Sequence, residues 1–172
     1  MPLPDLQPQE TITAVTNTPY ILVVDDEPDI RHLLQEILQD EGYEVAVAQD
    51  AASAREAHRA RRPDLVLLDI WMPDVDGITL LKEWGEAEHN LPMPVIMMSG
   101  HGTVETAVEA TRLGAYDFIE KPLSLAKLLL TIDHALKTDQ LRRENSQLHR
   151  LLPIPTEPIG KTFIDAHIVN QQ

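Results

Sequence analysis

Acids and other reactive groups sit where the apolar runs of this chain stop. The stretch "YILVVDDEPDI", Tyr20 to Ile30, drives four apolar residues, mostly β-branched, straight into Asp25, Asp26 and Glu27. In the same way "DLVLLDI" closes on Asp69, "PVIMMSG" on Ser99 and "YDFIEKP" on Lys121. Two carboxylates about 5 Å apart at an effective dielectric near 20 repel by roughly 3 kcal/mol. A whole domain is stable by only about 5–15 kcal/mol, so something must offset that repulsion. Asp25, Asp26 and Asp69 are hard oxygen donors with no His or Cys among them, a set that suits Mg²⁺ shared with a phosphoryl group. A divalent cation together with Lys121 would turn the repulsion into attraction. One carboxylate beside a metal, an ammonium and a hydroxyl can then accept a phosphoryl group. That transfer has a loose transition state with its charge spread over three equatorial oxygens, so it needs in-line positioning and charge stabilisation. The metal, Lys121, Ser99 and the backbone N–H groups after Asp69 are placed to hold those oxygens.

Groups so scattered along the sequence meet only if the chain alternates strands and helices. "YILVV" reads as a buried strand. "PDIRHLLQEILQDEG" reads as a helix, with Ile30, Leu33, Leu34, Ile37 and Leu38 on one face. Pro28 suits its first turn and Gly42 its C-terminal stop. "YEVAVA" is a second strand, and Asp50 is fit to cap the helix "DAASAREAHRARR". "DLVLLDI" precedes the helix "GITLLKEWGEAE", and "PVIMMSG" precedes "TVETAVEATRLGA"; "YDFIEKP" is a short fifth strand, followed by "SLAKLLLTIDHALK". Five β–α units in strict alternation predict a parallel sheet covered by helices on both faces. In such a sheet functional groups collect outside the carboxyl ends of the strands. Taken singly, a DD pair is a turn or cap, Ser99 a turn residue and Lys121 a solvated lysine; together, on consecutive strand ends, they form a site.

"ILVVDDEPDIR", "DLVLLDIWMPDVDG", "PVIMMSGHG" and "GAYDFIEKP" resemble the signature segments of the response-regulator receiver domain of two-component signalling, over about residues 20–137. The resemblance implies a flavodoxin-like (βα)5 doubly wound parallel sheet of strand order 2-1-3-4-5 with an extended C-terminal helix. It implies Asp69 as phosphoacceptor and Asp25 with Asp26 as the pair that holds Mg²⁺, with Asp69 and the backbone carbonyl of Trp71 as further ligands. Ser99 is then the switch hydroxyl, Phe118 the switch aromatic, Lys121 the family's lysine, and Lys121–Pro122 a candidate cis bond. The implied partner is a sensor histidine kinase. The implied role is a phosphorylation-dependent switch, not an enzyme beyond its own phosphorylation and dephosphorylation. "SGHG", "GAYDFIEKPL" and the long helix with "LRREN" resemble the nitrogen-regulation (NtrC/NtrX-like) subgroup. Those regulators continue into a sigma-54-interacting ATPase and a helix-turn-helix domain, neither of which this sequence contains, so a transcription-activating output would lie outside it.

The 172 residues carry a net charge of −14, which disfavours binding nucleic acid through the general surface. No cysteine is present, compatible with a reducing cytoplasm, and no apolar run is long enough to span a membrane. Residues 1–19 lack the basic and apolar regions of a signal peptide and read as a flexible leader. From Leu123 to Leu152 neither Pro nor Gly interrupts the chain. Residues 138–152 read as a helical linker, with Leu141 and Leu148 at heptad d positions and Asn145 and Leu152 at a, a pattern that admits a two-stranded coiled coil. A single amphipathic helix is the alternative. A homodimer could form through residues 123–152 or through the face of the fourth helix, fifth strand and fifth helix. Residues 153–172 read as a flexible tail, and "IGKT" within them fails as a phosphate loop because Pro155 stands where its first glycine belongs. The loop after Asp69 mimics a Ca²⁺ loop at Asp74, Asp76, Gly77 and Glu83, but Met72 stands at the first ligand position. A haloacid-dehalogenase-type phosphatase needs a second acid two residues after the nucleophile, and Trp71 is there. His101 is read as a loop residue without a role, and Trp84 as packing.

Overall fold

Side chains on a strand point alternately to its two faces, and in the first strand both faces are apolar. The computed structural model describes residues 18–87, 91–100 and 103–151. Its elements are β1 (Tyr20–Val24), α1 (Pro28–Asp40), β2 (Glu44–Ala48), α2 (Ala51–Ala60), β3 (Leu65–Asp69), α3 (Gly77–Ala87), β4 (Val95–Ser99), α4 (Val104–Arg112), β5 (Asp117–Glu120) and α5 (Leu125–Leu151). All strand pairs are parallel, in the order β2-β1-β3-β4-β5. The expected doubly wound sheet, its strand order and its extended last helix are therefore present. The described residues fall into two units, divided between Leu136 and Lys137. The resemblance to a receiver domain extends over about residues 20–137, with 138–152 read as a helical linker.

Two cores flank the sheet. Ile21, Val23, Leu65, Leu67, Ile96 and Met98 point to one side, onto Leu34 and Leu38 of α1 and Leu128, Ile132 and Ala135 of α5. Leu22, Val24, Val66, Leu68, Val95 and Met97 point to the other, onto α2, α3 and α4. The three central strands are buried along their whole length, as expected of strands covered on both faces. Burying one such Leu or Ile is worth roughly 1.5–3 kcal/mol.

The helix ends follow the sequence signals. Pro28 opens α1, and Gly42 lies just beyond its end at φ 90°, a conformation that glycine adopts without a Cβ penalty. Asp50 caps α2: its Oδ1 accepts from the Ser53 N–H at 2.8 Å while Ser53 Oγ accepts from the Asp50 N–H at 3.2 Å. Of the five apolar residues on one face of α1, Leu34 and Leu38 are buried against the sheet, whereas Leu33, at the edge of that stripe, is 45% exposed. No helix of the described residues is long and apolar enough to cross a membrane. Residues 1–17 of the leader, His101, Leu152 and the tail with "IGKT" lie outside the described residues.

Candidate functional site

Strand register brings the acids together. Val24 pairs with Leu68 and Asp69 with Met98, so Asp25 emerges from β1 beside Asp69 at the end of β3. Adjacent strands lie about 4.8 Å apart. The Asp25 N–H is held by the Ala48 carbonyl at 3.0 Å, and Asp25 Oδ1 accepts from the Glu27 N–H at 2.9 Å. Ser99 ends β4 fully buried, and its carbonyl accepts the Lys121 N–H at 2.9 Å, which fixes the turn after β5. The Lys121–Pro122 bond is cis, as the resemblance implied.

Asp25 and Asp69 are 0% and 3% exposed. Lys121 reaches both from β5: Nζ lies 2.7 Å from Asp25 Oδ2, 3.5 Å from Glu27 Oε1 and 3.7 Å from Asp69 Oδ2. Burial pulls the Lys121 ammonium down, but its hydrogen bond to Asp25 and the charges of Asp25, Asp69 and Glu27 outweigh this and hold it above its usual range. Asp69 moves further. Burial, then the Asp25 charge, then Asp26 push its carboxyl up to about 7 against the opposing pull of Lys121. One ammonium therefore does not neutralise the pocket.

Asp25, Asp26 and Glu27 each offer a carboxylate oxygen within 4.8 Å of the others. Of the side chains expected to hold the ion, Asp25 and Asp26 fall in this trio, and Glu27, exposed at the start of α1, joins them. Asp69 lies against Asp26 and Lys121 instead. An all-oxygen donor set of this charge, next to a buried carboxyl whose ionisation is suppressed, fits a hard divalent cation.

Two further residues hold the β3–α3 loop, and sequence reasoning saw them only as failed Ca²⁺-loop positions. A Cβ on Gly77 would lie 2.3 Å from the Asp69 carbonyl oxygen, so the start of α3 packs directly on the backbone of Asp69. The Gly77 N–H also donates to the Ile70 carbonyl at 2.7 Å. Asp74 reaches α2, where its two oxygens accept from the Ala51 and Ala52 N–H groups at 3.1 Å each. Phe118 is half-buried on β5 and packs against the α2–α3–α4 core. It also lines a groove of about 430 Å³ with Val104, Ala107, Val108 and Thr111 of α4. Trp84 is core and stacks on His58 with ring centroids 5.0 Å apart.

The family model described as the response regulator receiver domain matches residues 21–133. This chain belongs to that family. Among relatives of this receiver domain, the nitrogen assimilation regulatory protein NtrX of Azorhizobium caulinodans is 47% identical over 146 residues, 84% of this chain and 32% of that protein. The regulatory protein AtoC of Escherichia coli is 40% identical over 132 residues, 77% of this chain and 28% of that protein. The solved receiver domain of NtrX from Brucella abortus is 53% identical, with a TM-score of 0.63, and the match covers 69% of this chain and 98% of that one. The subgroup is thus the nitrogen-regulation kind expected from "SGHG" and "GAYDFIEKPL". The receiver chain spans about a third of the length of the curated regulators it matches.

Proposed function

We propose that this receiver domain accepts a phosphoryl group from a sensor histidine kinase onto Asp69 and so controls a transcription-activating output lying elsewhere in a longer regulator. The observation that carries the reading is Asp69 itself, buried at the carboxyl end of β3 beside Asp25 and 3.7 Å from Lys121, with an ionisation that burial and its acidic neighbours suppress. Asp25, Asp26, Asp69 and the Trp71 carbonyl, with Glu27 as a further donor, would hold Mg²⁺, which when bound neutralises the acids and draws charge from the transferring oxygens.

An Asp69 carboxylate oxygen attacks phosphorus in line with the bond to the donor. The new O–P bond forms as the N–P bond of phosphohistidine breaks, and the electron pair returns to the imidazole nitrogen, which takes up a proton. Lys121, now shared between Asp25 and Asp69, contributes positive charge to the phosphoryl oxygens, and the buried Ser99 hydroxyl donates to one of them. Charge-assisted hydrogen bonds of this kind are the strong ones. Phe118 then follows Ser99 inward, which remodels the α4–β5–α5 face. Shifting a two-state equilibrium from 1:99 to 99:1 takes about 5.5 kcal/mol of differential stabilisation, within reach of several such bonds in a partly desolvated pocket.

The test is labelling with radioactive acetyl phosphate and MgCl₂. Wild type takes up label and Asp69→Asn does not; label retained by Asp69→Asn would refute the acceptor. Turnover of a generic phosphate ester is expected to be absent, since chemistry here is confined to the chain's own phosphorylation and dephosphorylation.

A further inference from the structure

The proposed chemistry uses neither carboxylate of the β3–α3 loop: Asp76 caps the start of its own helix α3, whereas Asp74 is engaged by another helix. Both its oxygens take N–H groups of the first turn of α2, Ala51 and Ala52, across 23 and 22 residues of sequence. The first-turn N–H groups of a helix have no partner within it. The Asp50–Ser53 capping box already starts α2, so the helix has a cap of its own. What the Asp74 contacts add is a fastening between the tip of the loop and a neighbouring helix. A negative charge is favourable at a helix N-terminus, and Arg55, one turn further along α2, adds a positive charge that faces Asp74. Arg55 is in turn held by Glu83 of α3 through two 2.8 Å bonds.

The same loop is tied at its neck by the Gly77 N–H to Ile70 carbonyl bond, and at its exit by Asp76, whose Oδ1 accepts from the Thr79 N–H at 2.7 Å. Trp71, Met72 and Pro73 lie between the neck and Asp74. This is the backbone that leaves Asp69, and Trp71 is 55% exposed. A segment left free at its tip would have to be ordered at the moment of binding, at a cost in conformational entropy for every residue fixed.

We propose that Asp74 is a positioning residue for the acid site: by clamping the loop tip onto α2 it sets the course of residues 70–73 and, through them, how tightly the site holds Mg²⁺ and how fast Asp69 accepts phosphoryl. The inference rests on the metal and phosphoryl reading given above.

The experiment uses the full chain with MgCl₂ alone as probe, read by tryptophan emission. The exposed Trp71 sits on the loop, while the buried Trp84 is a static background. Asp74→Ala should weaken Mg²⁺ binding about tenfold, as removal of residues that support metal ligands commonly does. Asp74→Asn keeps one acceptor and should fall between Ala and wild type. Acetyl phosphate labelling should slow in the same order. The Ala51 and Ala52 amide signals should respond to Mg²⁺ in wild type and lose that response in Asp74→Ala. If Asp74→Ala does not fold, the Asn variant carries the test. Lower thermal stability with unchanged Mg²⁺ affinity would make Asp74 a mere helix cap and overturn the proposal. A wild type that neither senses Mg²⁺ nor takes label would overturn the underlying reading first, and the proposal with it.

Discussion

A carboxylate that is 3% exposed and faces two other acids is costly to ionise, and at Asp69 burial and Asp25 together push the pKa from 3.8 up to about 7. In the unfolded chain this group loses its proton near pH 4. Between pH 4 and 7 the folded state therefore binds more protons than the unfolded one, and stability falls as pH rises. Above pH 7 the full penalty applies, on the order of 2–4 kcal/mol; below pH 4 it vanishes. Asp69→Asn carries no such penalty. In EDTA it should melt above wild type at pH 8, with the gap closing towards pH 4, and a gap independent of pH would contradict this account of the pocket. Lys121 acts in the opposite sense. Its ammonium is the partner of the fully buried Asp25 at 2.7 Å, and removing one member of a buried pair costs about 3–5 kcal/mol. Lys121→Met should therefore lower the urea midpoint at pH 7, and a midpoint equal to wild type would show that Asp25 tolerates isolation.

At the scale of elements, the site depends on α3 lying against the end of β3. Gly77→Ala would drive a methyl group into the Asp69 carbonyl. Overpacking costs about 1–3 kcal/mol, and here the obstacle is backbone, so the melting temperature should fall and Asp69 be displaced; unchanged stability would mean that α3 can slide. The elements themselves were legible in the sequence because short continuous apolar runs alternate with helical patterns, and Pro28, Gly42 and Asp50 mark helix ends in the expected places. The acids at strand ends were legible because a parallel sheet brings the carboxyl ends of its strands to one edge. The Gly77 contact was not, since close approach of two backbones leaves no trace in residue type beyond the glycine itself. Nor was the Asp74 clamp, whose partners are N–H groups more than twenty positions away. Glu27 was noticed as part of the acidic knot, but only the turn into α1 brings it into the same ligand distance as Asp25 and Asp26. The exposure of Leu33 was not legible, because it lies at the edge of the apolar stripe of α1 and residue type does not say how far that stripe is turned into the sheet.

For the molecule as a whole, α5 continues to Leu151 with Leu141 65% and Leu148 55% exposed, the two residues at the heptad d positions. We propose that residues 138–152 pair with a second copy. Leu141→Ser with Leu148→Ser should then lower the mass seen by sedimentation velocity, whereas a wild type that is monomeric at all concentrations would remove the coiled coil from the account. Phosphorylation would act on such an assembly from the receiver unit, through a single covalent change at Asp69. Intact-mass spectrometry after incubation with acetyl phosphate reads that change directly, followed by borohydride reduction and peptide mapping to locate it. The account predicts one phosphoryl adduct on the peptide containing Asp69, present with MgCl₂ and lost in EDTA. An adduct on another residue, or one that forms equally without a divalent cation, would contradict it.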